Sequence, residues 1–255
     1  MREAQGQAFR GWDFSFLAGR MVDGAPGWDY AAIVRSKLRR VASLLDLGTG
    51  GGEFLGSLQP LPARTCATEA YAPNVAIVAA RLRPLDVWLI ATEPARDNSL
   101  TLNVRDEQDR SLPFRDESFE LVINRHEAYA PTEVHRVLQR GGTFVTEQVG
   151  GEHHGELRSL LGAEVPRPAR WDLEAAVKQL ETAEFHIIDA LESFPSTTFG
   201  DIGTIVYYLK AVPWVVPRFS VERYRDRLLE LHRLIEARGS VVVRGHRFYL
   251  DASRP

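Results

Sequence analysis

Four glycines in five positions, Gly48, Gly50, Gly51 and Gly52, separate the apolar run Ser43-Leu44-Leu45-Asp46-Leu47 from a helical pattern that opens at Glu53. Few folds ask for such a turn. Glycine permits positive φ and lets a ligand approach the backbone with no Cβ in the way. The turn and the helix start aim free amides at that ligand.

Around this turn strand and helix patterns alternate. A helix is expected over Trp28–Arg40, with Ile33, Val34 and Leu38 on one side, then a strand at Ser43–Leu47 and a helix at Glu53–Leu58. A second strand is expected at Arg64–Thr68, a helix with proline in its first turn at Pro73–Leu82, and a third strand at Asp86–Ala91. A fourth strand is expected at Phe119–Asn124, a helix at Pro131–Gln139 stopped by Gly141-Gly142, and a fifth strand at Thr143–Val149. Asp172 caps a helix running to Thr182, and Phe185–Leu191 is the sixth strand. Such alternation predicts βαβ units and a mostly parallel sheet with helices on both faces.

Residues 193–239 break the rhythm and read as a mostly helical insertion. Its strongest element is an amphipathic helix over Val221–Ala237, with Ser220 as N-cap and Gly239 as stop. A last strand is expected from Val241 past Gly245 to Tyr249, within residues 240–255. Residues 1–30 carry Phe9, Trp12, Phe14, Phe16, Trp28 and Tyr30 on no helical or strand period, as an aromatic segment that packs on a core at 31–192 or caps a cleft in it.

Composition narrows the class. In 255 residues, 44% hydrophobic and 25% charged, a packed core forms. The formal charge of -3, with no basic run, disfavours a nucleic-acid substrate. The single cysteine, Cys66, falls in a buried strand pattern and reads as an inert core thiol. No apolar run approaches the ~20 residues of a membrane span, and no apolar signal core follows the N-terminus, so a cytoplasmic protein is expected.

Three details refine the ligand. Asp46 places a carboxylate beside the turn, which repels a pyrophosphate and suits a sulfonium and an amino group. The turn ends in Glu53 with no Lys-Ser/Thr, so it is no P-loop. Glu69 closes the second strand, where an acid can accept from vicinal ribose hydroxyls; a dinucleotide site would want that acid too, so it points to a nucleoside ligand in general. Together these favour S-adenosylmethionine.

At these residues a family resemblance emerges. Leu44 to Gly52 resembles the first cofactor motif of class I methyltransferases, Ser111 to Val122 is similar to the LPF-x-D-x-SFD-x-V segment of their type 11 family, and Val137 to Phe144 resembles that family's RVLKPGG turn. The resemblance implies an α/β Rossmann-like class I methyltransferase fold, with a seven-stranded mostly parallel sheet and a helical insertion before the last strand. It implies an enzyme that uses S-adenosyl-L-methionine and releases S-adenosyl-L-homocysteine. The cofactor set it points to is Asp46, Gly48, Thr49, Gly50, Gly52, Glu69, Ala70, Asn124 and Arg125. Asp106, Gln108 and Asp109 compete for the adenine contact; the family favours the place of Gln108, and Asp109 is the reading adopted.

The loop Asn124-Arg125-His126-Glu127-Ala128-Tyr129 follows the fourth strand, where the reactive cleft of an open α/β sheet lies. His126 is the candidate base and Glu127 its orienting partner or a cation binder. Trp12, Tyr129, Gln148 and Trp214 are the candidate acceptor contacts, with the aromatic N-terminus and the insertion as walls of that site. His153-His154 lacks a third ligand, so no metal is expected. The expected partner is a small-molecule methyl acceptor, an O or N nucleophile, on a monomer or homodimer. An RNA or nucleic-acid methyltransferase and a non-catalytic S-adenosylmethionine-binding protein are the alternatives.

Overall fold

Ser43–Leu47 is buried at every position, as a strand is when other strands flank both edges and helices cover both faces. The computed structural model describes residues 2–9, 14–100, 112–164 and 171–255. In chain order the elements are α1 (Arg2–Gly6), β1 (Met21–Asp23), α2 (Tyr30–Leu38), β2 (Ser43–Leu47), α3 (Glu53–Ser57), β3 (Arg64–Glu69), α4 (Ala72–Leu82), β4 (Trp88–Ala91), β5 (Phe119–Arg125), α5 (Pro131–Val137), β6 (Leu138–Val149), α6 (Gly155–Leu161), α7 (Leu173–Thr182), β7 (His186–Ser193), β8 (Ser196–Phe199), α8 (Ile202–Ala211), α9 (Arg225–Arg238), β9 (Val241–Arg244) and β10 (Arg247–Ser253). They fall into two compact units. The first comprises Met1–Gly27, Gly151–Pro168 and Ser193–Arg247; the second comprises Trp28–Gly150, Ala169–Glu192 and Phe248–Pro255.

The second unit is built on a seven-stranded sheet in the order β4-β3-β2-β5-β6-β10-β7. The ladders β2·β3, β2·β5, β3·β4 and β5·β6 are parallel. Successive strand residues point to opposite faces, and two cores separate accordingly. Leu44, Ala67, Leu121, Ile123 and Val145 pack with Val34 of α2, Leu55 of α3 and Val78 of α4. Leu45, Cys66, Val122 and Phe144 pack with Val134 of α5 and Leu180 of α7. This is the expected mostly parallel sheet sandwiched by helices. Asp172 caps α7 by accepting from the Ala175 amide at 2.9 Å. Asp172→Ala should therefore cost ~1 kcal/mol in urea denaturation, and no loss would show that packing alone holds α7.

In the first unit β1-β8-β9 form a three-stranded sheet with antiparallel ladders. Helix α8 is buried nearly all round, as a core helix is. Asp201 caps it and is gripped by the Arg20 fork at 2.8 Å through each carboxylate oxygen.

Several expectations are corrected. Helix α5 ends at Val137 and β6 starts at Leu138, so Gly141 and Gly142 do not stop a helix. They lie inside β6, where the β5·β6 register shifts, and a Cβ on Gly142 would meet the Gln139 carbonyl at 2.8 Å. The expected last strand is two strands in two sheets, β9 and β10. The region 193–239 carries β8 as well as helices. Helix α9 begins at Arg225; Ser220 instead closes the preceding turn, its Oγ accepting from the Arg223 amide at 3.1 Å. The N-terminal segment ends at Gly27, and Trp28 and Tyr30 belong to the second unit. Residues 151–168, expected in the core, cluster with the first. Among the described residues no helix is long and apolar enough to cross a membrane.

Candidate active site

All of the site described here lies in the second unit, at the C-terminal ends of β2, β3, β5 and β6. The turn after β2 is anchored to β3: the Gly48 amide donates to Thr68 Oγ1 at 3.1 Å and the Thr49 amide to the Thr68 carbonyl at 2.9 Å. The Gly52 amide donates to the Thr49 carbonyl at 3.0 Å and closes the turn. The amides of Gly50 and Gly51 donate to no described residue, which leaves two donors for a ligand. Gly48 has φ of 70°, and a Cβ there would lie 2.4 Å from Glu127 Cγ and 2.6 Å from Glu127 Cβ. Only glycine fits between Glu127 and the turn.

Two buried carboxylates flank it. Asp46 is 4% exposed. Burial pushes its carboxyl up to about 7, Thr49 offsets part of the rise, and the charge of Glu69 adds to it. Glu69 is likewise buried and accepts the Tyr71 amide on one oxygen at 2.6 Å. Its other oxygen has no described protein donor. Leu47, Gly48, Thr68, Ala70 and Glu127 line an open cleft of about 510 Å³, with Thr92, Glu93 and Tyr129 further round it.

The loop after β5 is held from below by a polar network. Asn124 is fully buried; its Nδ2 donates to the Leu47 carbonyl at 3.1 Å, and its Oδ1 accepts from Thr146 Oγ1 at 2.9 Å and Gln148 Nε2 at 2.6 Å. Gln148 also donates to the Glu127 carbonyl at 3.1 Å. The hydroxyl of Tyr30 lies 3.0 Å from the carbonyls of both Asn124 and Val145. These groups are occupied inside the protein, so Asn124 and Gln148 position the loop. Asn124, expected as a cofactor contact, and Gln148, expected as an acceptor contact, are thus also joined to the loop by these bonds.

Above the network, Glu147 collects three donors. Trp28 Nε1 reaches Oε1 at 2.9 Å, Arg125 Nε reaches Oε2 at 2.9 Å, and His126 Nε2 lies 3.4 Å from Oε2. Burial raises the Glu147 carboxyl, but the bonds and charges of His126 and Arg125 outweigh it and bring the group down to about 2. Arg125 also stacks over the Phe54 ring, 5.0 Å from its centroid, so the guanidinium is engaged by the protein. His126 has φ of 62°, a strained backbone for a non-glycine residue, and its amide is fixed on the Glu147 carbonyl at 2.8 Å. Glu127 follows with its carboxyl on the cleft wall; burial raises it above the usual carboxylate range, the Ala128 amide opposes this, and Glu69 adds to it. Tyr129 is buried, lines the cleft and has a hydroxyl with no partner.

Asp46, Gly48, Thr49, Gly50, Gly52, Glu69, Ala70, His126, Glu127 and Tyr129 are thus gathered at one end of one sheet. Trp214 lies in the first unit and is 55% exposed. Trp12 and the adenine candidates Asp106, Gln108 and Asp109 lie outside the described residues. Thr68, Glu147 and Trp28 went unrecognised. A carboxylate closing a strand at the sheet's carboxyl edge, as Glu147 does, is the signal that points to it.

The family model described as "Methyltransferase domain" matches residues 45–146. No curated protein matches the chain. Among solved structures the chain is similar to a candidate methyltransferase of Bacillus halodurans, with 16% identity over 88% of this chain and 98% of that one and a TM-score of 0.59. It is similar to the cyclase SpnF, with 18% identity over 94% and 90% and a TM-score of 0.55. It is similar also to geranyl diphosphate methyltransferase in complex with S-adenosylmethionine, with 13% identity over 88% and 84% and a TM-score of 0.50. At such identities the likeness is one of fold, and a fold hosts more than one reaction, as the cyclase shows.

Proposed function

We propose that this chain, whose residues 45–146 match the methyltransferase-domain model, uses S-adenosylmethionine and transfers its methyl group to an oxygen or nitrogen of a small-molecule acceptor. The observation that carries the reading is the turn and the cleft beside it: a Gly48 that tolerates no Cβ, two open amides at Gly50 and Gly51, Glu127 on the cleft wall, and the buried carboxyls of Asp46 and Glu69 at the ends of the two strands that flank the turn. These residues fit the cofactor. The turn admits its backbone-close end, Asp46 faces cationic groups, and the free oxygen of Glu69 can accept from ribose hydroxyls. When bound, the cofactor supplies an electrophilic methyl on a sulfonium.

The chain's own part is alignment and proton handling. Glu127, raised by burial, is the group best placed to take a proton from an acceptor hydroxyl or amine. His126, pinned to Glu147, is the second candidate and shapes the loop. The formal charge of -3 supports a small acceptor over nucleic acid, as does the small acceptor in the name of one structural neighbour, geranyl diphosphate methyltransferase. A screen of hydroxyl- and amine-bearing metabolites with methyl-labelled donor tests this. Label appearing only in RNA would overturn it, and so would donor binding by calorimetry together with no labelled product from any acceptor in the screen.

Asp46 makes binding pH-dependent. Its carboxyl, at about 7 in the folded chain, must be ionised to meet a cation, so below that pH binding expels a proton. Affinity for S-adenosylmethionine should fall as pH drops below about 7, by up to ~10-fold per unit. The calorimetric heat should then depend on the buffer's ionisation enthalpy at pH 6 but not at pH 8.5. An affinity flat across this range would remove Asp46 from the cation's surroundings.

A further inference from the structure

The first unit holds a buried polar cluster with no part in the reading above. His153 and His154 stack with ring centroids 3.7 Å apart. His153 Nδ1 accepts from the His246 amide at 3.1 Å and from Arg247 Nη1 at 2.9 Å. In the neutral ring the proton is therefore on Nε2, facing the Tyr208 hydroxyl oxygen at 3.3 Å. That oxygen acts as acceptor, so the Tyr208 hydroxyl keeps its own proton to give. Thr197 donates to Asp23 at 2.6 Å, so its oxygen accepts from His154 Nε2 at 2.9 Å. His154 Nδ1 is left buried with no partner.

Arg158 is the decisive residue. It is 8% exposed. Its guanidinium donates only to backbone carbonyls, His153 at 2.9 Å and Gly151 at 3.3 Å, and its Nε is buried without a partner. Among the described residues no carboxylate bonds it, and the charge of Glu156 only partly offsets the cost of its burial. Two of the acids nearby are engaged elsewhere: Glu156 accepts from Arg244 Nε at 2.7 Å and from the Arg244 amide at 3.1 Å, and Asp23 holds Thr197. A buried charge is ordinarily paired, because desolvating it alone is costly. The potential here is positive: burial, then the charges of Arg247 and Arg158, lower His154 to about 3, with Glu156 opposing.

We propose that Arg158, Arg247 and Tyr208 form a binding site for the oxyanion of a small molecule, a phosphate or carboxylate group. A guanidinium fork fits two oxygens of such a group, and the Tyr208 proton supplies a further donor. Arg247, half-buried at the start of β10, is the approach from solvent. The site is independent of methyl transfer and stands or falls apart from it.

The test is calorimetry and thermal denaturation of the full chain with inorganic phosphate, pyrophosphate and citrate, against potassium chloride at matched ionic strength. Saturable binding of at least one of these anions is expected, with a rise in melting temperature that chloride does not reproduce. Arg158→Met should weaken that binding at least ~10-fold and Tyr208→Phe by ~3- to 10-fold. A preference for phosphate or pyrophosphate over citrate identifies a phosphate ligand, and the reverse a carboxylate. Should Arg158→Met fail to fold, Tyr208→Phe, which removes one hydroxyl, carries the test. No saturable binding of any of the three, or binding unchanged in the folded variants, would overturn the proposal and leave Arg158 as a clamp on the 151–154 turn.

Discussion

Gly48→Ala is expected to weaken binding of S-adenosylmethionine by at least ~100-fold, which corresponds to ~3 kcal/mol. Two costs combine. Alanine at a φ of 70° costs roughly 1–2 kcal/mol. The new Cβ also lies 2.4 Å from Glu127 Cγ and 2.6 Å from Glu127 Cβ. The Cβ of Glu127 cannot swing aside, because it is fixed to a backbone held by Gln148 at the Glu127 carbonyl. Relief must come from the turn itself, and moving the turn breaks the Gly48 and Thr49 bonds to Thr68. Gly56→Ala is the control: it lies within α3, and its added Cβ would meet nothing nearer than Leu85 Cδ1 at 3.9 Å. That variant should bind normally and gain roughly 0.5–1 kcal/mol of stability from helix propensity. Equal affinity of the Gly48 variant and the parent would mean that the turn does not contact the ligand.

The sequence made this turn legible because a strand, a glycine cluster and a helix start leave one arrangement open. It made the sheet legible through alternation, since Leu44 and Leu45 had to serve different faces. It could not show that β9 and β10 leave for different sheets, for the run Val241–Tyr249 reads as continuous and only Gly245 interrupts it. Gly141-Gly142 after a helical pattern reads as a stop, whereas inside β6 Gly141 takes a φ of 74° and Gly142 lies close to the Glu120 carbonyl of β5. An apolar run such as Ile202–Ala211 is equally a buried strand or a buried helix by pattern; the Asp201 cap is what decides it. In the site, sequence disclosed which groups were polar but not where their hydrogen bonds went. Asn124 and Gln148 look like ligand contacts on paper. In three dimensions Asn124 bonds the Leu47 carbonyl of β2 and the side chains of Thr146 and Gln148 on β6, while Gln148 reaches the Glu127 carbonyl, so both also act on the cleft through the backbone.

Glu147 is where that positioning is most concentrated, and its loss should show in both stability and pH response. One buried carboxylate receives Trp28, Arg125 and His126. Its folded value is about 2 against an ordinary 4.5, so it contributes stability that is fully present above about pH 4.5 and is lost as pH falls through about 2. Glu147→Leu should lower stability at pH 7 by ~2–3 kcal/mol. The lower part of that range is favoured because Arg125 and His126 are 44% and 34% exposed at their side chains and can turn to water. The variant should also lose the part of the acid destabilisation that lies between about pH 4.5 and 2. Glu147→Gln keeps an acceptor for Trp28 and should fall between parent and Leu. A structural role alone would end there. If Glu147 also positions the loop, the Leu variant should bind S-adenosylmethionine nearly as the parent does, since the Gly48 turn is anchored on Thr68, while the Trp28 emission shifts to the red and transfer to any acceptor found drops ~10-fold or more in kcat. Unchanged emission and unchanged turnover in a folded Glu147→Leu chain would show that the three donors converge on this carboxylate without setting the geometry of His126 and Glu127.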